Sequence, residues 1–319
     1  MSTLFEAGLD SAERVLGPRF LIAVLLPVLL ATGTSALVGL AAAGHTLGDF
    51  LRAWQGYGAS AQLIAGVWIA LGVVGAAYVL AFFQLSLLRV LEGYWPQRGV
   101  LGVLRRRRTE RHRRKAAAGW GRVRTLRDKA EQADSSALAA RLLAAYPPPP
   151  RLARGCLPTA LGNRLRAAEY YPLERYGVDA VVLWPRLRPL LPPEASDRLI
   201  GARTALDSTI SLLALSVAFG TVWPVVLLIM GGHEALAALC LLAWPVAWAA
   251  HAAALQAAVA FGQEVRVVFD LHRHLLLRHL NLDVPCDAAA ERRLWDDLAQ
   301  FYLRNAPLVR PGVGSTPAK

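Results

Sequence analysis

Four long apolar stretches, near Phe20 to Ala43, Ala61 to Val90, Ala205 to Met230 and Ala235 to Phe261, restrict what this chain can become. About 30 Å of hydrocarbon is crossed by roughly 20 helical residues, and each stretch supplies that many. A 319-residue chain that is 55% hydrophobic and 18% charged has too much apolar surface for an ordinary soluble domain. The expected fold is all-α: an integral membrane four-helix transmembrane bundle with a helical cytoplasmic domain.

Acidic Glu6, Asp10 and Glu13 precede a first stretch too long for the hydrophobic region of a cleavable signal, so it is expected to stay as an anchor. Orientation follows from the basic residues. Between Arg89 and Arg203, 24 Lys plus Arg face 10 Asp plus Glu, a net of +14 against +12 for the whole chain. Arg89, Arg98 and Arg105 to Arg108 lie just behind the second span, where positive charge holds a loop inside the cell. Four spans then put both termini inside, with only Gly44 to Ser60 and the turn at Gly231 to Glu234 facing out. The chain divides into a cytoplasmic N-terminal segment (1–19), transmembrane helices one and two (20–92) and a basic cytoplasmic loop domain (93–192). Transmembrane helices three and four with a cytoplasmic extension (193–261) come next, followed by cytoplasmic amphipathic helices and tail (262–319).

The second span ends at Glu92-Gly93-Tyr94-Trp95-Pro96, where aromatic rings suit the interface and proline stops the helix. Pro192-Pro193-Glu194 starts the third helix early. Continued to Met230 it is roughly 57 Å long, so part stands in the cytoplasm. Leu104 to Tyr146 reads as one solvated or membrane-surface helix, closed by the stiff spacer Pro147 to Pro150. Its arginine runs set topology and attract anionic lipid headgroups. Nucleic acid is disfavoured as a partner, because no aromatic interleaving or known motif accompanies the arginines. Gly66, Ala70, Gly72 and Ala76 on span two, and the alanines from Ala247 to Ala260 on span four, predict close helix approach and a homo-oligomer.

The densest polar and aromatic segment runs from Leu157 to Leu187. As a helix, it sets Leu161, Leu165 and Ala168 on one face and Asn163, Arg166 and Tyr170 on the other. Asn163, Arg166, Glu169, Tyr170, Arg175, Tyr176, Asp179, Trp184 and Arg186 are its candidates for a cytoplasmic site or subunit interface. The competing role for them is an internal network that fixes the loop. The run Pro158-Thr-Ala-Leu-Gly-Asn-Arg-Leu-Arg-Ala-Ala-Glu, with Arg175-Tyr-Gly-Val-Asp and Trp184-Pro-Arg-Leu, resembles a segment shared by an uncharacterised family of bacterial polytopic membrane proteins. Glu92-Gly-Tyr-Trp, Phe261-Gly-Gln-Glu-Val-Arg and Phe269-Asp-Leu-His-Arg resemble the same family. The resemblance implies an inner-membrane architecture and carries no reaction.

A second candidate is the polar stripe Thr204, Asp207, Ser208 and Ser211, at i, i+3, i+4 and i+7 on the third helix. An ionisable group at membrane depth suggests a pore lining, whereas Arg203, one turn away, offers Asp207 a partner for packing. Phe261 to Leu280 reads as amphipathic, with Gln263, Arg266, Asp270, Arg273 and His274 on its polar face and His272 and His279 in the apolar stripe. Cys156, Cys240 and Cys286 have no metal-site spacing. His233-Glu234 lacks the second histidine of a zinc-protease helix, and neither a phosphate-binding glycine loop nor a nucleophile elbow occurs. No catalytic, cofactor-binding or metal-binding residue is assigned.

The first functional expectation is a non-enzymatic membrane assembly, a scaffold, sensor or adaptor meeting a soluble cytoplasmic protein. The alternative is an oligomeric ion channel or small-solute pathway, a layout similar to bestrophin-type channels in topology only. A lipid-modifying enzyme comes third.

Overall fold

The computed structural model describes Gly17 and residues 19–308. The proposed N-terminal segment, with Glu6, Asp10 and Glu13, falls almost wholly outside these residues, as does the end of the tail. The described residues are mostly helical, and none forms a strand. A π-helical turn at Leu21–Leu25 leads into α1 (Leu26–Ala42), followed by α2 (Leu47–Gly56) and α3 (Ala59–Glu92). Then come α4 (Gly99–Asp128), α5 (Gln132–Ala145), α6 (Leu152–Gly155), α7 (Ala160–Tyr176) and α8 (Ala180–Leu187). The remainder are α9 (Pro193–Met230), α10 (Glu234–Cys240), α11 (Ala243–His279) and α12 (Ala288–Arg304). Among the described residues, four segments are long and apolar enough to cross a membrane: Leu21–Ala42, Ala59–Glu92, Pro193–Met230 and Glu234–His279.

Contacts divide the chain into two compact units. One, the apolar unit, holds Met1–Val90 and Ile200–Ala257; the other, the basic unit, holds Leu91–Leu199 and Ala258–Lys319.

In the apolar unit the sequence between the first two spans is a helix rather than an open loop. Thr46 caps α2 by accepting from the Asp49 amide, and the Asp49 carboxylate accepts from the Thr46 amide. The reciprocal box supplies two of the amides that a helix start leaves without partners. Prolines shape the other helices. Pro224 cannot donate to the Gly220 carbonyl one turn earlier, and the Trp244 indole donates to that carbonyl instead at 3.2 Å. A side chain on Gly220 would crowd Ala243 and the Trp244 ring at 3.1–3.3 Å, so glycine is what lets the indole approach. Pro245 likewise lacks the amide that Leu241 would need, and the fourth apolar segment breaks there into α10 and α11.

The small-residue expectation divides. Ala247, Ala250 and Ala254 on α11 are buried. A Cβ built on Gly66 or Gly72 meets nothing within 4 Å, so on α3 those glycines do not serve close packing within the chain.

The basic unit corrects the reading of Leu104 to Tyr146 as one solvated helix. It is a hairpin of α4 and α5, with Ala130 at φ 59° in the turn. Ala116, Leu142, Tyr146, Leu152 and Cys156 form its core, with Trp120, Val123 and Leu138 packed against them. The second core joins α8, α12 and the end of α11 around Trp295, Phe269, Leu183, Leu187, Leu277 and Leu298, all at most 2% exposed. Burying each such side chain contributes about 1.5–3 kcal/mol, which is what lets short helices of low intrinsic stability persist. On α12, Asp287 caps the start, and Glu291, Leu294, Trp295, Leu298 and Ala299 face inward at helical spacing.

Candidate functional site

The loop segment that carries most of the sequence candidates is tied to the end of α3. Thr159 caps α7 through the Gly162 amide, and its hydroxyl donates to the Glu92 carbonyl at 2.8 Å. Gly162 lies against the Glu92 carbonyl so closely that a Cβ there would overlap it. Gly93, at φ 94°, meets Pro158 in the same way. Only glycine satisfies both the left-handed backbone and the contact at position 93. Asn163 is fully buried: its amide donates to the Leu157 and Thr159 carbonyls, and its oxygen accepts from the Leu157 amide. It is the clamp of the Leu157–Thr159 turn.

Next along α7, Arg166 donates to Glu169 at 2.8 Å and to the Tyr94 hydroxyl at 3.0 Å, and its guanidinium stands 5.7–5.9 Å from the Tyr94 and Tyr170 ring centres. Burial raises the Glu169 pKa, and Asp179 adds to the rise, against the lowering effect of Arg166. Asp179 caps α8 through the Val181 and Val182 amides. Trp184 packs on Phe269, and Arg186 covers the Tyr302 ring at 3.6 Å. Arg175 differs from these: the residue is exposed, and its carbonyl accepts from Arg292.

Tyr176 leads to a polar cluster only partly visible in sequence. Its hydroxyl donates to Asp270 at 2.7 Å, and the Tyr171 hydroxyl donates to the same carboxylate at 2.9 Å. Burial and the Asp270 carboxylate push the Tyr171 pKa up to about 12. Arg266 lies over the Tyr171 ring and donates to the Leu143 carbonyl, while Arg273 lies over the Tyr176 ring at 3.9 Å. Arg273 also donates to Glu291 at 2.8 Å. His274 Nε2 stands 2.8 Å from that same Glu291 oxygen, and the Trp295 indole donates to it at 3.2 Å. Burial works to raise the Glu291 pKa, but hydrogen bonds from Arg273, His274 and Trp295 outweigh it and leave it at about 2.

On the polar face of the α11 end Arg266, Asp270, Arg273 and His274 are therefore engaged by protein, while Gln263 is exposed. Tyr171, Glu291 and Trp295 were not among the sequence candidates. Glu291 had one signal: an acid at an inward position of an amphipathic helix, where charge requires partners. His279, expected in an apolar stripe, is exposed and bonded to the Leu275 carbonyl of its own helix; His272 is half-buried.

In the apolar unit the second candidate closes on itself. Asp207, with its side chain 5% exposed, pairs with Arg203 and Arg19 at 3.0 Å. Ser211 donates to the Asp207 carbonyl and Thr204 to the Ile200 carbonyl, and both side chains are buried. Gln84 donates to the Asp207 carbonyl from α3 at 3.3 Å, while Ser208 is half-buried. The stripe has the geometry of packing between helices.

Three free cysteines are present, and no group of three or more His, Cys, Asp or Glu is placed to hold a metal among the described residues. No protein-family model matches the chain, and no curated protein or solved structure matches it.

Proposed function

We propose that the chain is a non-enzymatic membrane assembly of the bacterial inner membrane, a scaffold, sensor or adaptor that meets a soluble protein through its basic unit on the cytoplasmic side. The observation that carries this reading is the mutual saturation of the Tyr171, Tyr176, Asp270, Arg273 and Glu291 cluster. These groups stabilise one another and knit loop to tail, so the unit offers a shaped surface. Arg175, Val181 and Pro185 are the exposed residues of the loop segment, with Val181 66% accessible, and they form the surface offered to a partner.

The cytoplasmic assignment rests on Arg89, Arg98 and Arg105 to Arg108 behind α3. The bacterial inner membrane rests on the loop resemblance. A homo-oligomer is supported by α3, whose most apolar window is only 6% buried within the chain and carries Gly66 and Gly72 with open space above them.

Affinity capture with the full-length chain from detergent-solubilised membranes tests the proposal. One protein should be retained by wild type and lost with Arg175→Ala and Val181→Asp, at unchanged thermal stability. Retention by both variants, or no retained protein, overturns it. A single-channel current from reconstituted protein that Asp207→Asn abolishes would put a channel in its place.

A further inference from the structure

Between α4 and the α6–α7 turn the basic unit holds a cleft of about 500 Å³, walled by Arg105, Arg106, Arg113 and Glu110 and floored by Leu157 and Pro158. Three guanidiniums against one carboxylate leave it strongly positive. Each arginine is positioned by a single anchor: Arg105 donates to the Trp95 carbonyl at 3.0 Å, Arg106 to the Gly102 carbonyl at 3.4 Å, and Arg113 pairs with Glu110 at 3.0 Å. A guanidinium has five N–H donors in a rigid fork, so one anchor orients it while leaving most of its donor capacity for an oxyanion. Among the described residues no carboxylate pairs with Arg105 or Arg106. The neighbouring His112 feels the same field: burial lowers its pKa first, and Lys115, Arg111, Arg108 and Arg164 lower it further.

We infer that this cleft binds a phosphate ester, the three arginines taking its oxygens and the Leu157–Pro158 floor taking the adjoining carbon. The surroundings point to the head of an anionic lipid as the source. The floor segment is joined to the end of α3 by the bond from Thr159 to the Glu92 carbonyl, and Glu92 is the last residue of a helix apolar enough to cross a bilayer. The phosphate site stands on the cleft alone; the lipid source rests on the membrane placement proposed above.

The test measures binding of short-chain phosphatidylglycerol, phosphatidylcholine and glycerol 3-phosphate to the full-length protein in a neutral maltoside detergent. Phosphatidylglycerol should bind, and Arg106→Ala and Arg113→Ala should each weaken it about tenfold, the loss of a charge-assisted hydrogen bond. Arg107→Ala and Arg111→Ala, exposed on the same helix and outside the cleft lining, should change it less than about twofold, as solvent-screened charges that do not touch the ligand do. Glu110→Gln removes the one acid and should tighten binding, a gain that a folding defect cannot imitate. Glycerol 3-phosphate binding as tightly as the lipid, with the same variant pattern, retains the phosphate site and removes the lipid as its source. Equal losses from all four arginine variants, unchanged affinity in Glu110→Gln, or no binding of either ester overturns the inference.

Discussion

The apolar unit has the most hydrophobic sequence in the molecule and leaves much of it exposed, whereas the basic unit is strongly charged and closes a core around Trp295. The most apolar windows of the four long segments are 6–22% buried, and Phe82 on α3 is 80% exposed. In the basic unit Trp295 and Phe269 are 1% and 0% exposed. Outward-facing apolar surface on that scale is what a chain surrounded by hydrocarbon presents, since lipid tails leave no hydrophobic drive for helices to hide it. Water surrounding the basic unit would supply that drive, and there the apolar faces close on one another. Charge follows the same division. Among the described residues, the buried charge of the apolar unit is Asp207 with its two arginines, while the basic unit spreads its buried and partly buried charge through Glu169, Asp270 and Glu291 with their arginine and tyrosine partners.

The comparison breaks most visibly at Trp295. Trp295→Ala should cost about 4 kcal/mol, the loss for a large core aromatic, and Phe82→Ala should stay within about 0.5 kcal/mol, as for an exposed site. Thermal unfolding in detergent measures both, and equal shifts would erase the distinction between the units.

Acid provides the next test. The Glu291 pKa is held at about 2, below its ordinary 4.5, so the carboxylate contributes stability that is full above pH 4.5 and disappears as pH falls toward 2. Over that window wild type should lose roughly 3 kcal/mol more than Glu291→Gln. Parallel profiles for the two proteins would mean that the three-donor site is not holding its charge.

Asp207→Ala removes the acid from two guanidiniums. The carboxylate is 5% exposed, but Arg19 and Arg203 are 45% and 28% exposed, and solvent screening brings the expected cost to about 2 kcal/mol. A change near zero would instead support a lining role for Asp207. A smaller loss is expected for Tyr176→Phe, which removes one of the two hydroxyls on Asp270 and should cost about 1.5 kcal/mol. Adding Tyr171→Phe should cost more than the sum of the single changes, because Asp270 then loses both donors.

Most of the helical plan was readable in the chain. The four apolar runs, the early start of α9 at Pro193 and the Gly231-Gly232 turn all follow from hydropathy, proline and glycine. The hairpin of α4 and α5 was not readable, because its turn contains neither glycine nor proline and places Ala130 in a left-handed conformation that local preference disfavours. The candidate residues were legible as a polar face but not as a set of roles. Asn163, Asp179 and Tyr176 look equally available in sequence; one clamps a turn, one caps a helix, and one meets a carboxylate 94 positions away.

By itself, the sequence determined where the long apolar helices run and that they are apolar enough to cross a membrane, since both depend on neighbours within a few turns. It also determined where positive charge accumulates. Tertiary structure alone decided which charges would be consumed. Glu291 and Asp270 acquire their partners from separate helices, and the arginines of α4 gain a cleft only because the Leu157–Thr159 turn folds back beside them. Hydrogen bonds and ion pairs act over about 3 Å in space, and sequence order carries no record of that distance.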